Sequence, residues 1–428
     1  MQNNALRQRV RRANRGPRFL NLARSTNANY VLPQTHSLGN FDQNCEHCDA
    51  IKFQNESFKC CSNGKVSLQP LLDFPDELHR LLCEATPQAK LFRRNIRIYN
   101  NAFSFASLSA NIQPPPGNGP PCFRICGQLF HRYDALFPDE NQAPNYSQLY
   151  IVEPATALNF RIQNPANRNC DPQVMDMIHN VLTLFSPYAA TLRNMAEIER
   201  EEQERARMEN RPASVVSMIM REGPDRRRYN APLHEEVAAI FTGNDGAPPT
   251  PRDIVVYPRD QPLRNIPYIS SNIDPLMYPL IFPRGEPGWD PNLNHADADA
   301  NNRRRNRLTQ LEYYLYRMAI RPNFSALHLA GKLFQQFAVD AYVKIEGQRL
   351  DFIRHNQNQL RAESYEGLLD YLENAAEGRN LRAGRITILP STFIGSPRQM
   401  HQKYQDAMAV VAKLGKPDLF LTFTCNPK

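Results

Sequence analysis

Two cysteine pairs, Cys45-Glu-His-Cys48 and Cys60-Cys61, stand close together in a segment with too few apolar residues to build its own core. Thiolates separated by two residues can clamp one soft cation. A second pair brought back by a hairpin completes a tetrahedron, the coordination that zinc adopts with sulfur. Gly64, just after the second pair, suits the tight turn required. Cys60 and Cys61 are adjacent, however, and neighbouring side chains usually point apart. Either all four thiols are ligands, or one of that pair is a spectator and His47, His79 or Cys83 supplies the fourth. Unliganded structural cysteines are the alternative to both. The expectation is a structural zinc on Cys45, Cys48, Cys60 and Cys61, with every coordination position filled by protein and its role the stabilisation of a small coreless segment.

The remaining cysteines agree with reduced thiols. Nine of them, at 45, 48, 60, 61, 83, 122, 126, 170 and 425, are an odd number in a chain of 428 residues that lacks the apolar core of a secretory signal. An intracellular compartment is expected. Cys122 and Cys126 flank strand-like alternation, which sets them ~13 Å apart along a strand. That is too far for one metal, and a core role is expected instead. No run approaches the ~18 apolar residues of a membrane helix.

A net charge of +8 and a pI near 9.0 suggest a nucleic-acid partner, but the charge is unevenly placed. Arg7, Arg9, Arg11, Arg12, Arg15, Arg18 and Arg24 all precede the first acidic residue, Asp42, so the remaining chain is close to neutral. Residues 1–40 read as a basic disordered arm. It contacts phosphate or serves as a nuclear address, or else it is a solvated tail. A mitochondrial transit peptide would need an amphipathic helix that the arm does not show.

The 35 prolines exceed the usual ~5% of residues. Many fall in connectors such as Pro114–Pro121 and Pro248–Pro251, so short elements joined by stiff loops are expected. A short helix is predicted around Asp76–Cys83, and strands at Phe123–Phe130 and Gln148–Val152. The pattern turns helical between Asp171 and Asn210. It ends in Glu197–Arg211, a mixed-charge run with almost no apolar face that reads as a solvated helix. Residues 225–290 read as loop-heavy, and Asn301–Arg307 as a boundary. Beyond it, Leu333, Phe334, Phe337, Ala338, Ala341, Tyr342 and Ile345 recur at three and four, predicting a helix with one buried face. Tyr365–Leu372 predicts a second helix. Met400, Tyr404, Met408, Val411 and Leu414 predict a third, closed by Gly415. Strands at Arg385–Leu389 and Asp418–Thr424 frame that third helix. The expected fold class is α+β: a loop-rich zinc-finger-like region at 41–83, a mixed Pro-rich region at 84–307, and an α+β domain from 308 expected to continue past Lys428.

Searches for catalytic motifs are negative. The Gly-Lys pairs are followed by Val66, Leu333 and Pro417, so no phosphate-cradling Gly-Lys-Ser/Thr loop and no nucleotide site is read here. No two histidines stand at the spacing of a His-x-His clamp, and neither His-Glu-x-x-His nor Gly-x-Ser-x-Gly occurs. For nucleic acid, Arg303, Arg304, Arg305 and Arg307 could neutralise several phosphates, or form a solvated linker. Tyr313, Tyr314 and Tyr316 could stack on single-stranded bases, although core packing is the commoner fate of such residues on a helix.

Longer blocks carry a resemblance. They include Cys45–Val66 around the cysteines, Ile98–Ser107, Gly127-Gln-Leu-Phe-His131, Arg228–Pro232 with Glu235–Ala239, Tyr278-Pro-Leu-Ile-Phe-Pro-Arg-Gly285 with Gly288-Trp289, Asp340-Ala-Tyr-Val-Lys-Ile-Glu346, Leu389–Arg398 and Gly415–Pro427. In these, residues 41–428 resemble the N-terminal portion of the helicase-like protein of Helitron rolling-circle transposons. The resemblance implies a modular enzyme: a zinc-finger-like region, a Rep-type nuclease with a His-hydrophobe-His metal motif and a catalytic tyrosine, and a DNA helicase. Mapped here, Leu419–Pro427 resembles the first core strand of the nuclease. The His pair, the tyrosine and the helicase motifs are then expected after Lys428, and no catalytic residue is nominated. What is expected of this portion is binding of DNA, single-stranded or at a transposon end, in the nucleus. The alternative is a domesticated or decayed fragment serving as a protein-interaction module.

Overall fold

A computed structural model describes residues 39–54, 56, 59–109, 130–133, 137–138, 143–213, 216–220, 238–242, 254–256, 264–296, 306–357 and 389–415. The helix expected at Tyr365–Leu372 lies outside them, as do the strand at Asp418–Thr424, all but the last residue of Arg385–Leu389, Cys122 and Cys126, Arg303 to Arg305 and the arginines of the N-terminal arm. The chain divides into two compact units, one of residues 38–349 and one of residues 1–37 with 350–428.

The larger unit begins with a hairpin of β1 (Phe41–Asn44) and β2 (Ile51–Phe53). The helices α1 (Asp76–Cys83), α2 (Pro87–Phe103), α3 (Pro154–Gln163), α4 (Pro172–Phe185) and α5 (Pro187–Met208) follow. Four of these five open with proline at their first turn, behind Thr86, Glu153, Asp171 and Ser186. A first-turn proline gives up no helical hydrogen bond and presets the helical φ. Part of the proline content read as connector therefore starts helices. Thr86 caps α2 by accepting from the Ala89 N–H at 3.2 Å. Phe92, Ile96, Tyr99 and Phe103, at spacings of three and four, then turn one buried face to Leu78, Leu81 and Leu82 of α1 and to Ile178 and Leu182 of α4.

Three short strands form an antiparallel sheet in the order β3 (Ser107–Ser109), β4 (Phe130–Tyr133), β8 (Arg264–Ile266), with His131 opposite both Leu108 and Ile266. A second antiparallel sheet places β5 (Val216–Met220) between β6 (Ala238–Thr242) and β7 (Ile254–Val256). The architecture mixes helices with small sheets and is mostly helical, in keeping with the α+β expectation at that coarse level.

The segment expected to be loop-heavy supplies much of the core. Between Ile266 and Trp289 it holds only the short helix α6 (Ile273–Met277), yet Leu276, Tyr278, Leu280, Ile281 and Trp289 are buried. Buried backbone must be hydrogen-bonded, and here α2, the residues after it and the segment itself provide the partners. Phe105 N–H donates to Leu276 O at 2.8 Å, Asn100 Nδ2 to Met277 O at 2.8 Å, and Gly288 N–H to Ser271 O at 2.8 Å. The unit closes with α7 (Gln310–Met318), α8 (Ala326–Leu329) and the greater part of α9 (Lys332–His355). On α9, Leu333, Phe337, Ala341 and Ile345 are buried as the periodicity predicted, but Tyr342 faces outward at 46% exposure.

Two expectations are corrected. Gln148–Val152 is no strand: Tyr146–Tyr150 forms a 3-10 turn, closed by Gln148 Oε1 accepting from Asn145 N–H, and a short apolar run does not distinguish the two by pattern. The Glu197–Arg211 run is not solvated all round, since Glu199, Glu202 and Ala206 of α5 are buried and Arg211 pairs with Glu202 at 2.7 Å.

In the smaller unit, α10 (Pro397–Leu414) matches the third predicted helix. Ser396 caps it by accepting from Gln399 N–H, and Gly415, at a φ of 89°, ends it as the sequence indicated.

Candidate metal centre and its setting

The four cysteines converge. Cys45 Sγ lies 3.7 Å from Cys61 Sγ, Cys48 Sγ lies 3.6 Å from Cys60 Sγ, and all four sulfurs fall within 4.8 Å of one another. Four sulfurs arranged tetrahedrally at ~2.3 Å from a common centre would stand ~3.8 Å apart. The donor set and its spacing therefore fit a zinc-sized thiophilic cation. Adjacency of Cys60 and Cys61 is no obstacle, because each meets a different partner and their divergence spans one edge of the tetrahedron.

Local backbone makes this possible. Asp49 ends the first pair's turn at a φ of 55°, and Cys45 O accepts from both Cys48 and Asp49 N–H. After the second pair, Ser62, Asn63 and Gly64 take successive φ values of 49°, 59° and 82°, reversing the chain so that Gly64 N–H points at Cys61 Sγ, 3.3 Å away. Burial raises the Cys45 thiol, but the N–H groups of His47 and Cys48 and the thiols of Cys60 and Cys61 outweigh it and bring its pKa to about 6. Burial pushes Cys60 and Cys61 up, aided by their neighbouring sulfurs. A cation at the centre would favour the thiolate form of all four. The other candidate ligands lie elsewhere. The His47 ring packs against Gly64, and His79 sits against Phe324 with Cys83 Sγ 3.8 Å from its Nε2.

This knuckle is fastened to α7 and the turn after it. Ile51 N–H donates to Ile320 O at 2.8 Å. Arg321 donates from Nε to Cys48 O at 2.9 Å and from Nη1 to Tyr316 O at 2.8 Å, while its guanidinium lies 4.1 Å over the Tyr316 ring. Ser62 Oγ reaches Glu312 Oε1 at 3.3 Å, and Glu312 also pairs with His295 and completes the capping box of Thr309. On the other side, Ala296 N–H donates to Lys65 O while Asn294 bridges Arg307. One short segment, 294–296, thus joins the knuckle to exposed Arg307. Of the four arginines read as phosphate contacts, Arg307 alone is among the described residues.

Tyr313 and Tyr314 are core residues, with hydroxyls given to Pro287 O and to Asp274. Tyr316 lies under Arg321.

A second constellation escaped sequence reasoning. Lys344 forms an ion pair with Asp274 and lies 3.9 Å from Asp340 Oδ2. Asp340 also accepts from Tyr278 OH at 3.2 Å and meets His131 Nε2 at 3.0 Å. All are buried. Burial would raise the Asp340 carboxyl, yet Lys344, His131 and Tyr278 hold it at about 2. The groups come from β4, the 266–289 segment, α7 and α9, so the network ties four elements together. Asp340 and Lys344 sit one turn apart on the face of Phe337 and Ala341, which was the available signal. His131, Tyr278, Asp340 and Lys344 each belong to one of the blocks quoted for the family resemblance.

Residues 312–428 match the family described as the Helitron helicase-like domain at N-terminus. No curated protein matches the chain. The match begins at Glu312, the residue that receives Ser62 of the knuckle, and includes Asp340 and Lys344 of the buried network.

Proposed function

We propose that this chain, in which a Helitron helicase-like domain occupies residues 312–428, is the DNA-handling N-terminal portion of a Helitron-type helicase/transposase acting in the nucleus. In this reading one zinc held by Cys45, Cys48, Cys60 and Cys61 has a structural role. It fixes the knuckle against α7 and so sets the edge formed by Lys65, the 294–296 segment and Arg307. Arg303, Arg304 and Arg305, which precede Arg307 in the sequence, add to the phosphate contacts in this reading. The bound strand is single-stranded DNA, held through its phosphates, and the nuclease and helicase chemistry belongs to other domains of such proteins.

The observation that carries the reading is the joint between knuckle and arginine. Exposed Arg307 is one β-bridge away from the segment that hydrogen-bonds Lys65, four residues after Cys61. Basic side chains on a rigid edge suit phosphate contact. Fluorescence anisotropy with single- and double-stranded oligonucleotides, titrated with salt, tests it. Affinity for the single strand should fall steeply with salt, and Arg307→Ala should lower the slope by roughly one contact. Absence of binding at low salt would remove the DNA reading and favour a protein-interaction module.

A further inference from the structure

The outer face of α2 carries a row of cations. Lys90, Arg94 and Arg97 stand at spacings of four and three, so they share one side of the helix, and all three are exposed. α2 contains no acidic residue, and none of the three has an ion-pair partner among the described residues. Asp171 approaches the helix at Gln88, 3.5 Å away, but on the side opposite the row, and it also caps α4. Arg93 is set apart, since its Nη1 donates to Leu81 O and Leu82 O at the end of α1. Three exposed cations without neutralising carboxylates suit a polyanion laid along the helix.

The row leads to a cavity. Asn101 continues it, roughly 16 Å along the helix from Lys90, and forms part of the wall of a cavity of about 160 Å³. The Tyr146 and Phe160 rings and Asn164 also line it, and Phe160 is 38% exposed. Asn164 Oδ1 accepts from Ala166 N–H at 3.0 Å, which leaves its amide hydrogens for an occupant. Tyr146 holds a φ of 47°, a left-handed conformation that a non-glycine residue rarely adopts and that tends to occur at ligand-binding sites. Arg161 belongs to the wall but presents no charge to it. It is 1% exposed, with Nε donating to Ala102 O, Nη1 meeting His179 Nδ1, Nη2 sealed and the guanidinium 4.7 Å from the Phe103 ring centre. The end of α2 adds partial negative charge, which disfavours a phosphate there. Cavities of ~150 Å³ hold one benzene-sized ring, whereas drug-sized ligands need ~300–1,000 Å³. The occupant that fits is a flat, uncharged single ring with polar edges.

We propose that α2 and this cavity form a track for single-stranded DNA, in which Lys90, Arg94 and Arg97 contact phosphates and the cavity takes one unstacked pyrimidine base. The Tyr146 and Phe160 rings offer stacking faces, and the Asn101 and Asn164 amides meet the polar edge of the base. A duplex keeps its bases paired, so it can use the row but not the cavity. The inference rests on the reading of the chain as a single-strand binder and adds a second contact region to the Arg307 edge.

The test uses the zinc-loaded full chain and anisotropy titrations with oligothymidylate, oligodeoxyadenylate and an abasic deoxyribose-phosphate chain of the same length. Oligothymidylate should bind roughly fivefold or more tighter than the abasic chain, and oligodeoxyadenylate should gain less. Phe160→Ala should remove the thymine preference and leave the salt dependence as it is, whereas Phe160→Tyr, which keeps a ring, should retain the preference. Arg94→Ala combined with Arg97→Ala should lower the slope of log affinity against log salt by about 1.4 and keep the preference, with an unchanged melting temperature. Arg307→Ala should likewise lower the slope and keep the preference. An unchanged slope in the double arginine variant would overturn the proposal and leave the Arg307 edge standing. So would an undiminished preference in Phe160→Ala, an equal gain for oligodeoxyadenylate, or displacement of the strand by polyglutamate at equal charge concentration. Failure of the parent chain to bind any single strand would remove both contact regions.

Discussion

Lys344 and Asp274 are ion-paired with each side chain only 2% exposed, and they come from segments 70 residues apart in the chain. Burying charge is unfavourable unless each group is paired and hydrogen-bonded. Here Tyr314 donates to the same Asp274 and Asp340 stands on the far side of the ammonium. The pair is therefore part of a closed network and fixes how α9 meets the buried 266–289 segment.

Lys344→Met should cost about 3–5 kcal/mol, because it strands Asp274 and Asp340 without their cation. Adding Asp274→Asn should recover part of that loss, so the double variant falls short of the summed single effects. Urea unfolding of the four proteins in the cycle measures this. A cost below ~1 kcal/mol for the single variant would show that the pair is not stabilising.

Stability should fall at both ends of the pH scale, for different groups. Burial lowers Lys344, but Asp274 and Asp340 outweigh it and hold its pKa above 10.5, so its contribution is complete below that value and disappears as pH rises through the folded pKa. Asp340, at about 2 instead of 3.8, contributes above 3.8 and loses its effect as pH falls toward 2. His179 acts earlier. Burial and Arg161 hold it at about 4 instead of 6.5, so stability should begin to drop below 6.5 and continue to drop to about 4. Melting temperatures across the pH range should show that first step in the parent chain and lose it in His179→Phe.

Arg321→Ala should loosen the knuckle from α7. It removes hydrogen bonds to Cys48 O, Tyr316 O and Ala319 O together with the contact over Tyr316. A loss of about 2–3 kcal/mol is expected, with faster zinc release to a chelator, measured by a colorimetric zinc indicator. Unchanged release kinetics would mean that the knuckle holds its metal without help from α7.

Gly64→Ala should be costly despite adding a single methyl group. The residue has a φ of 82°, and a Cβ there would sit 3.2 Å from His47 Nδ1. Strain of about 1–2 kcal/mol is expected, and zinc affinity should fall because the Gly64 N–H that meets Cys61 Sγ would move. Competition against a chelator of known affinity reads this directly.

The sequence disclosed these features unequally. The cysteine quartet was legible because its ligands are near neighbours in the chain and few other uses explain such spacing. Gly64 marked the turn after the second pair, but the objection raised by adjacent Cys60 and Cys61 is answered only in three dimensions, where Cys60 meets Cys48 and Cys61 meets Cys45. Leu333, Phe337, Ala341 and Ile345 announced the buried face of α9 through hydrophobic period. Asp340 and Lys344 share that face, but a hydrophobic pattern passes over charges. Their partners His131, Asp274 and Tyr278 are too distant in sequence for any local rule to connect. Arg161 was hidden for the same reason, since a cation inside a helix normally reads as a solvated residue.

The central claim is that one zinc on four thiolates holds the knuckle that positions the Arg307 edge. Site-resolved cysteine alkylation of the zinc-loaded chain, before and after chelation, tests it most directly. The account predicts that Cys45, Cys48, Cys60 and Cys61 resist alkylation together and become reactive together on chelation, while exposed Cys83 reacts throughout. Chelation should weaken single-stranded DNA binding in parallel. Alkylation of any one of the four at the rate of Cys83 with zinc present would contradict it.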